Sequence, residues 1–184
     1  MSRSEGRSEQ QGNDPGQPHP PCADEESRLL AAVAPIGRRN PDMLPLVQLA
    51  LQTAMRRGEL LALERTNVDL DAQTAYLPTS KNGMPRMVPL SRVAVELLRA
   101  MPINTHERVF SISAPTLAAA FKRATQRALI PNLRFHDLRH TATSRMADKV
   151  PNLIELAAIT GHQSLQMLKR YYHPNAKILA AKLG

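Results

Sequence analysis

Aromatic residues are scarce: tryptophan is absent, and tyrosine and phenylalanine contribute three residues each. Surfaces that bind single strands by stacking bases need such rings, so that mode of nucleic-acid recognition is disfavoured. There is one cysteine, Cys22. It cannot form an internal disulfide, and nothing else points to an oxidising compartment. No apolar run approaches the roughly 20 residues of a membrane span, and the N-terminus has no apolar signal-peptide segment. A soluble, cytoplasmic protein without a membrane partner is expected. With 42% hydrophobic residues over 184 positions, the chain can bury one core and is about one domain long.

What is present in excess is positive charge, and it is unevenly placed. Residues 1–26 hold two arginines against six carboxylates, a net −4, which leaves +12 on the remainder of a chain whose total is +8. A strongly basic folded part points to a polyanion, and with so few aromatics the backbone of double-stranded DNA is the favoured partner. Solubilising charge is the bland alternative.

Residues 1–24 are rich in Ser, Gly, Gln and Pro with almost no apolar side chains. Such a segment cannot offset its own ordering entropy, so a disordered acidic tail is expected there, with one domain over 25–184. Helical signals start at Glu25 and resume at Asn40-Pro41, read as an N-cap with proline in the first turn. The period then shortens to that of strands in "NVDL", "TAYL" and "RMVPL", with Asn82-Gly83 as a hairpin turn. Helical stretches follow near 91–101, 115–129, 136–148, 151–160 and 164–172, and a last one ends at Leu183. The expected fold class is mainly α with one small antiparallel β-sheet (α+β).

In "FHDLRHTATSRM" a helix places His136, Arg139, His140 and Thr143 on one face, with Leu138 and Ala142 turned toward a core. One arginine and two imidazoles suit a phosphate, although a solvated face has the same pattern. His136 and His140 also have the spacing of a zinc-hydrolase helix, but Asp137 is shorter than the glutamate that motif uses, and Arg139 would set a fixed charge beside the metal. Arg56 and Arg57 are read as closing the helix that begins at Pro41, where a helix C-terminus favours cations. Lys81 precedes the Asn-Gly turn. Gly161 reads as a C-cap, which makes His162 a turn residue. In "GHQSLQMLKRYYHP" an α-helix from Ser164 puts Leu165, Leu168 and Tyr172 on one face. Tyr172 would then pack on the core and Tyr171 would face an open side.

Taken together these segments resemble the tyrosine recombinase, or phage integrase, family. "TAMRRGELLAL" resembles the box around its first catalytic arginine, and "SKNGMPRMVPLS" its lysine-bearing hairpin. "HDLRH" resembles its second box, and "ITGHQSLQMLKRYYHP" its histidine-to-tyrosine segment. The resemblance spans almost all of residues 25–184. It implies catalytic roles for Arg56, Lys81, His136, Arg139, His162 and Tyr171, a structural place for His140, and a bracing one for Glu59. Thr53-Ala54 departs from the family's usual Thr-Gly. The family also carries a separate helical core-binding domain ahead of this one, whereas here only the acidic tail precedes Glu25.

The implied chemistry is DNA strand transfer by transesterification. A free phenol has a pKa near 10, so forming phenolate at pH 7 costs about 4 kcal/mol, which a base and nearby cations must offset. By resemblance, His136 assists that proton transfer while Tyr171 attacks the scissile phosphate. Arg56, Arg139 and His162 hold the non-bridging oxygens, and Lys81 protonates the leaving 5′ oxygen. The product is a 3′-phosphotyrosyl link, formed with no cofactor, ATP or metal, by copies that self-associate on DNA. A non-enzymatic DNA-binding remnant and a zinc hydrolase are the alternative functions.

Overall fold

The structure, a computed structural model, describes residues 21–78, 85–102, 107–172 and 176–183. Most of the expected tail therefore lies outside the described residues, as do Lys81 and the Asn82-Gly83 turn. Eight helices and one sheet occur among the described residues, in the order α1 (Ala23–Val33), α2 (Met43–Thr53), α3 (Arg57–Leu61), β1 (Val68–Asp69), β2 (Thr74–Leu77), β3 (Arg86–Pro89), α4 (Arg92–Ala100), α5 (Ala114–Arg127), α6 (Phe135–Lys149), α7 (Leu153–Thr160) and α8 (Ala176–Leu183). The expected class, mainly α with a small antiparallel sheet, holds.

The core is organised round α2, whose sequence MLPLVQLALQT is apolar on nearly every side. A helix of that kind must be surrounded, and α2 packs against α1, α4, α5 and α6. Leu46, Val47, Leu49 and Ala50 are fully buried there, together with Leu117 of α5 and Leu138 of α6. Truncating one of these leucines would cost about 2–5 kcal/mol, through lost transfer energy and the cavity left behind.

The sheet is a meander in the order β1-β2-β3, with Ala75 opposite Val88 and Tyr76 opposite Met87. Alternation sorts its faces: Ala75, Leu77 and Val88 are buried, whereas Tyr76 and Met87 are exposed. That register also turns Arg86 inward, since it lies two residues from Val88. Helix starts follow side-chain capping, as where Ser91 accepts from the Ala94 amide (3.2 Å) and Ser113 from that of Thr116 (3.4 Å).

Three local expectations are corrected. Asn40 does not cap α2: its Oδ1 accepts the Asp42 amide at 2.8 Å in an Asx turn, and the helix begins at Met43. At the other end α2 stops at Thr53, because Ala54 takes the left-handed conformation, φ 52°, and its amide bonds the Ala50 carbonyl. Thr53 Oγ1 meanwhile bonds back to the Leu49 carbonyl at 2.7 Å. The third concerns residues 164–172. They form two 3₁₀ turns, Leu165–Met167 and Lys169–Tyr171, in place of an α-helix.

Candidate active site

Because α2 ends early, Arg56 and Arg57 do not close it. Arg56 is the N-cap of α3 and Glu59 its N3 residue, whose carboxylate accepts the Arg56 amide at 2.7 Å. A cation there opposes the helix dipole, so it needs a counter-charge. Glu59 supplies it, accepting Arg56 Nη1 at 2.9 Å. The same carboxylate receives both Nη1 and Nη2 of Arg86 from β3, at 2.8 and 2.9 Å. Burial alone would raise the Glu59 pKa, but the bonds and charges of Arg86 and Arg56 outweigh it and hold the group at about 2. Glu59 thus braces the first arginine, the place the resemblance gave it.

Gly161 joins this cluster from α7. It caps that helix at φ 71°, and its carbonyl accepts Arg56 Nη2 at 2.7 Å. A Cβ at this position would lie 2.7 Å from Arg86 Cζ. Only glycine fits both the backbone conformation and the guanidinium behind it.

The second arginine comes from α6. Arg139 is buried and donates Nη1 to the carbonyl of Ala54, the left-handed residue that ends α2. Its Nη2 lies 3.3 Å from His162 Nε2. The tautomer of His162 follows from a proton count. Thr160 Oγ1 has one hydrogen, committed to the Leu156 carbonyl at 2.6 Å, so at its 2.7 Å contact with His162 Nδ1 the threonine must accept. Nδ1 therefore carries the proton, and Nε2 is the acceptor for Arg139. Burial, then the charges of Arg139 and Arg56, lower the His162 pKa to about 4. Burial and Arg56 likewise pull Arg139 down to about 10. Arg56 and Arg86 share the Glu59 carboxylate, and Arg139 bonds a carbonyl and an imidazole, so the site carries an excess of positive charge suited to an anion.

Tyr171 faces this cluster from the second 3₁₀ turn. Three residues per turn align Tyr171 with Leu168, which is 0% exposed, and leave Tyr172 40% exposed. The α-helical reading had put Tyr172 on the Leu168 face, so the two tyrosines exchange surroundings relative to that expectation. Tyr171 is half-buried, and its hydroxyl hydrogen-bonds His140 Nδ1. His136 stands edge-on to His140, with ring centroids 4.9 Å apart. Burial raises the Tyr171 pKa, against the charges of Arg170 and Arg139. Burial also lowers His140, with help from His136, and lowers His136, with help from Arg139. Near neutral pH the phenol therefore donates and the imidazole accepts.

Of the residues expected from the sequence, Arg56, Arg139 and His162 are joined by direct contacts or by the shared Gly161 turn, and Tyr171 is joined through His140 and α6 to His136. Lys81 lies outside the described residues. Arg86, Thr160 and the His140 contact were missed. For Arg86 a signal existed: it shares a strand face with Val88, and a buried cation requires a carboxylate. His136 and His140 were weighed as zinc ligands, but His140 Nδ1 turns to the phenol, and no group of three His, Cys, Asp or Glu converges among the described residues. No described helix is long and apolar enough to cross a membrane.

The profile of the phage integrase family matches residues 23–177. The chain belongs to the phage integrase family. Within it, the chain is 48% identical over 146 residues to a shufflon-specific DNA recombinase of Escherichia coli, covering 79% of this chain and 38% of that protein. It is 35% identical over 137 residues to a putative integrase/recombinase of Haemophilus influenzae, covering 73% and 45% respectively. The catalytic domain of bacteriophage HP1 integrase superposes with a TM-score of 0.69 at 28% identity, over 88% of this chain and 92% of that one. The chain thus spans less than half the length of both curated relatives and nearly all of an isolated catalytic domain.

Proposed function

We propose that this chain is the catalytic domain of a site-specific DNA recombinase that cleaves and rejoins duplex DNA through a 3′-phosphotyrosyl intermediate. The observation that supports it is the gathering of Arg56, Arg139, His162 and Tyr171 from α3, α6, the α7 cap and a 3₁₀ turn into one cationic site. Arg56 and Arg139 hold the two non-bridging oxygens of the scissile phosphate, where charge grows in the transition state. The Tyr171 hydroxyl oxygen bonds phosphorus as its proton passes to His140 Nδ1, with His136 packed against that ring. The bond from phosphorus to the 5′ oxygen breaks, and Lys81, on the connection between β2 and β3, gives that oxygen its proton. One ester replaces another, so the step is balanced without ATP. Rejoining needs the 5′-hydroxyl of another strand, so assembly of two or more copies on DNA is part of the proposal. No role in this chemistry is proposed for the acidic segment ahead of α1, which begins at Ala23 and so inside the expected tail.

The test is covalent capture on a pool of labelled, nicked duplexes, read on a denaturing gel, with the linked residue identified by peptide mass spectrometry. Wild type and Tyr172→Phe should form the adduct, and Tyr171→Phe should bind DNA without forming it. An adduct on Tyr172 would overturn the assignment of the nucleophile. Binding with no adduct from any variant would leave a DNA-binding remnant in place of the enzyme.

A further inference from the structure

A second group of arginines lies at the other end of α2, which separates it from Arg56 by about 15 Å of helix. Arg38 and Arg39 from the α1–α2 connection, and Arg123 and Arg127 from α5, line a cleft of about 500 Å³. Positions 123 and 127 are one helical turn apart and so share a face. Arg39 and Arg127 are fastened by the C-terminal carbonyls of α1: Arg39 Nη1 donates to those of Ala32 and Ala34 at 3.3 and 3.4 Å, and Arg127 Nη2 to that of Ala32 at 2.8 Å. A helix C-terminus is a favourable place for a cation, and each guanidinium keeps most of its five donors for something else.

Among the described residues no carboxylate lines the cleft, and none ion-pairs with any of the four arginines. The nearest in sequence, Asp42, accepts the Ser111 amide at 2.8 Å. Desolvation and the charges of Arg39 and Arg123 lower the Arg127 pKa, the mark of cations crowded without an anion. The contrast with Arg56 and Arg86 is instructive, since there a buried glutamate is supplied. Four forked donors facing one cavity, with no counter-ion among the described residues, match the chemistry of a phosphate group.

We propose that the Arg38–Arg39–Arg123–Arg127 cleft is a second phosphate-binding site, occupied by a backbone phosphate of the duplex away from the cleaved one. This rests on the reading of the chain as a DNA enzyme. Such a contact releases counterions and carries no sequence information. It would hold DNA on the domain independently of the reacting phosphate.

The test uses the full chain carrying Tyr171→Phe, so that cleavage does not enter. Duplex affinity is measured across salt concentrations with and without Arg38→Gln/Arg123→Gln. These two side chains are chosen because no described backbone carbonyl depends on them, and thermal melting checks that the variant folds. Arg92→Gln/Arg99→Gln removes the same charge elsewhere. Each phosphate contact contributes about −0.9 to the slope of log K against log salt, or about 3.5-fold in affinity between 50 and 200 mM. The cleft variant should flatten the slope by about 1 and the control variant by less. Equal slopes for cleft variant and parent, or equal flattening by the control, would overturn the proposal. A second arm titrates inorganic pyrophosphate against the protein without DNA. Stabilisation of the parent alone, with DNA slopes unchanged, would assign the cleft to small phosphate esters and overturn the duplex assignment. Failure of every protein to bind duplex would instead count against the proposed function itself.

Discussion

The two halves of the candidate active site are held very differently. On one side Arg56 and Arg86 share a single buried carboxylate, Arg56 is also tied to the Gly161 carbonyl, and Arg139 is tied to that of Ala54. On the other side Tyr171 rides on two short 3₁₀ turns, and among the described residues its hydroxyl has one side-chain partner, His140. The groups proposed to receive the phosphate are fixed before it arrives, at a cost in buried charge that Glu59 offsets. The proposed nucleophile is held by contacts that a small backbone movement would release. This division suits a reaction in which the phosphate must be gripped throughout while the tyrosine attacks, becomes esterified and is later displaced.

The largest expected effect comes from removing the shared carboxylate. Glu59→Ala would leave Arg86 buried beside Arg56 with no counter-charge, a loss of about 3–5 kcal/mol by analogy with other broken buried pairs. Chemical denaturation should show it, and adduct formation should disappear. Tyr171→Phe should stay within about 1 kcal/mol of wild type, since it removes one hydrogen bond from a half-buried group. If the two variants were equally stable, the contrast between a braced half and a loose half would be wrong.

The same contrast explains what was legible in the sequence. Helices and strands with a clean period were readable: TAYL and RMVPL alternate, and α2 is apolar throughout. Three of the four motifs contain Arg56, Arg139, His162 and Tyr171, which the fold gathers; the fourth carries Lys81, outside the described residues. What could not be read were bonds that join distant segments, such as Arg86 to Glu59, 27 positions apart, and Arg56 to the Gly161 carbonyl, 105 apart. Arg56 was assigned to the end of one helix and not the start of the next, because the one cue in "TAMRRGE", that Ala54 stands where the family usually has glycine, was not read as a left-handed residue at φ 52°. That conformation costs a non-glycine residue about 1 kcal/mol. The tyrosine pair was misread for a simpler reason. Adjacent residues swap faces when the period changes from 3.6 to 3.0, and the choice between those periods is set by the packing of Leu168 and Tyr171 rather than by local propensity.

A smaller and more selective effect is expected at His140. If it takes the phenolic proton, His140→Ala should slow adduct formation by about 10²-fold at saturating DNA while changing stability little. The pH profile separates this from a structural role. Wild-type rate should fall as His140 becomes protonated, below its ordinary pKa of 6.5 because burial and His136 lower it. That limb should be missing from the variant's residual rate. An unchanged rate, or a retained limb, would move the base to His136, the residue the family resemblance first indicated.

The smallest effect sharpens the braced half. In the free protein His162 donates through Nδ1 to Thr160 and accepts through Nε2 from Arg139, so it has no hydrogen aimed at a ligand on its Nε2 side. With a folded pKa of about 4 against an ordinary 6.5, stability linked to this group is complete above pH 6.5. It is lost as the pH falls toward 4, because the unfolded chain binds the proton more tightly. A phosphodiester reverses the balance: its negative charge replaces part of the repulsion from Arg139 and Arg56, and protonated Nε2 becomes a donor to a non-bridging oxygen. At about pH 5.5, between the two values, binding should therefore take up as much as one proton. The uptake appears as a difference between calorimetric binding heats in two buffers of unlike ionisation enthalpy. His162→Gln should abolish most of it, which distinguishes this group from His136 and His140, whose pKa values are lowered as well. No uptake by the wild-type protein, or the same uptake by the variant, would mean that His162 stays neutral beside the phosphate and serves only to position Arg139.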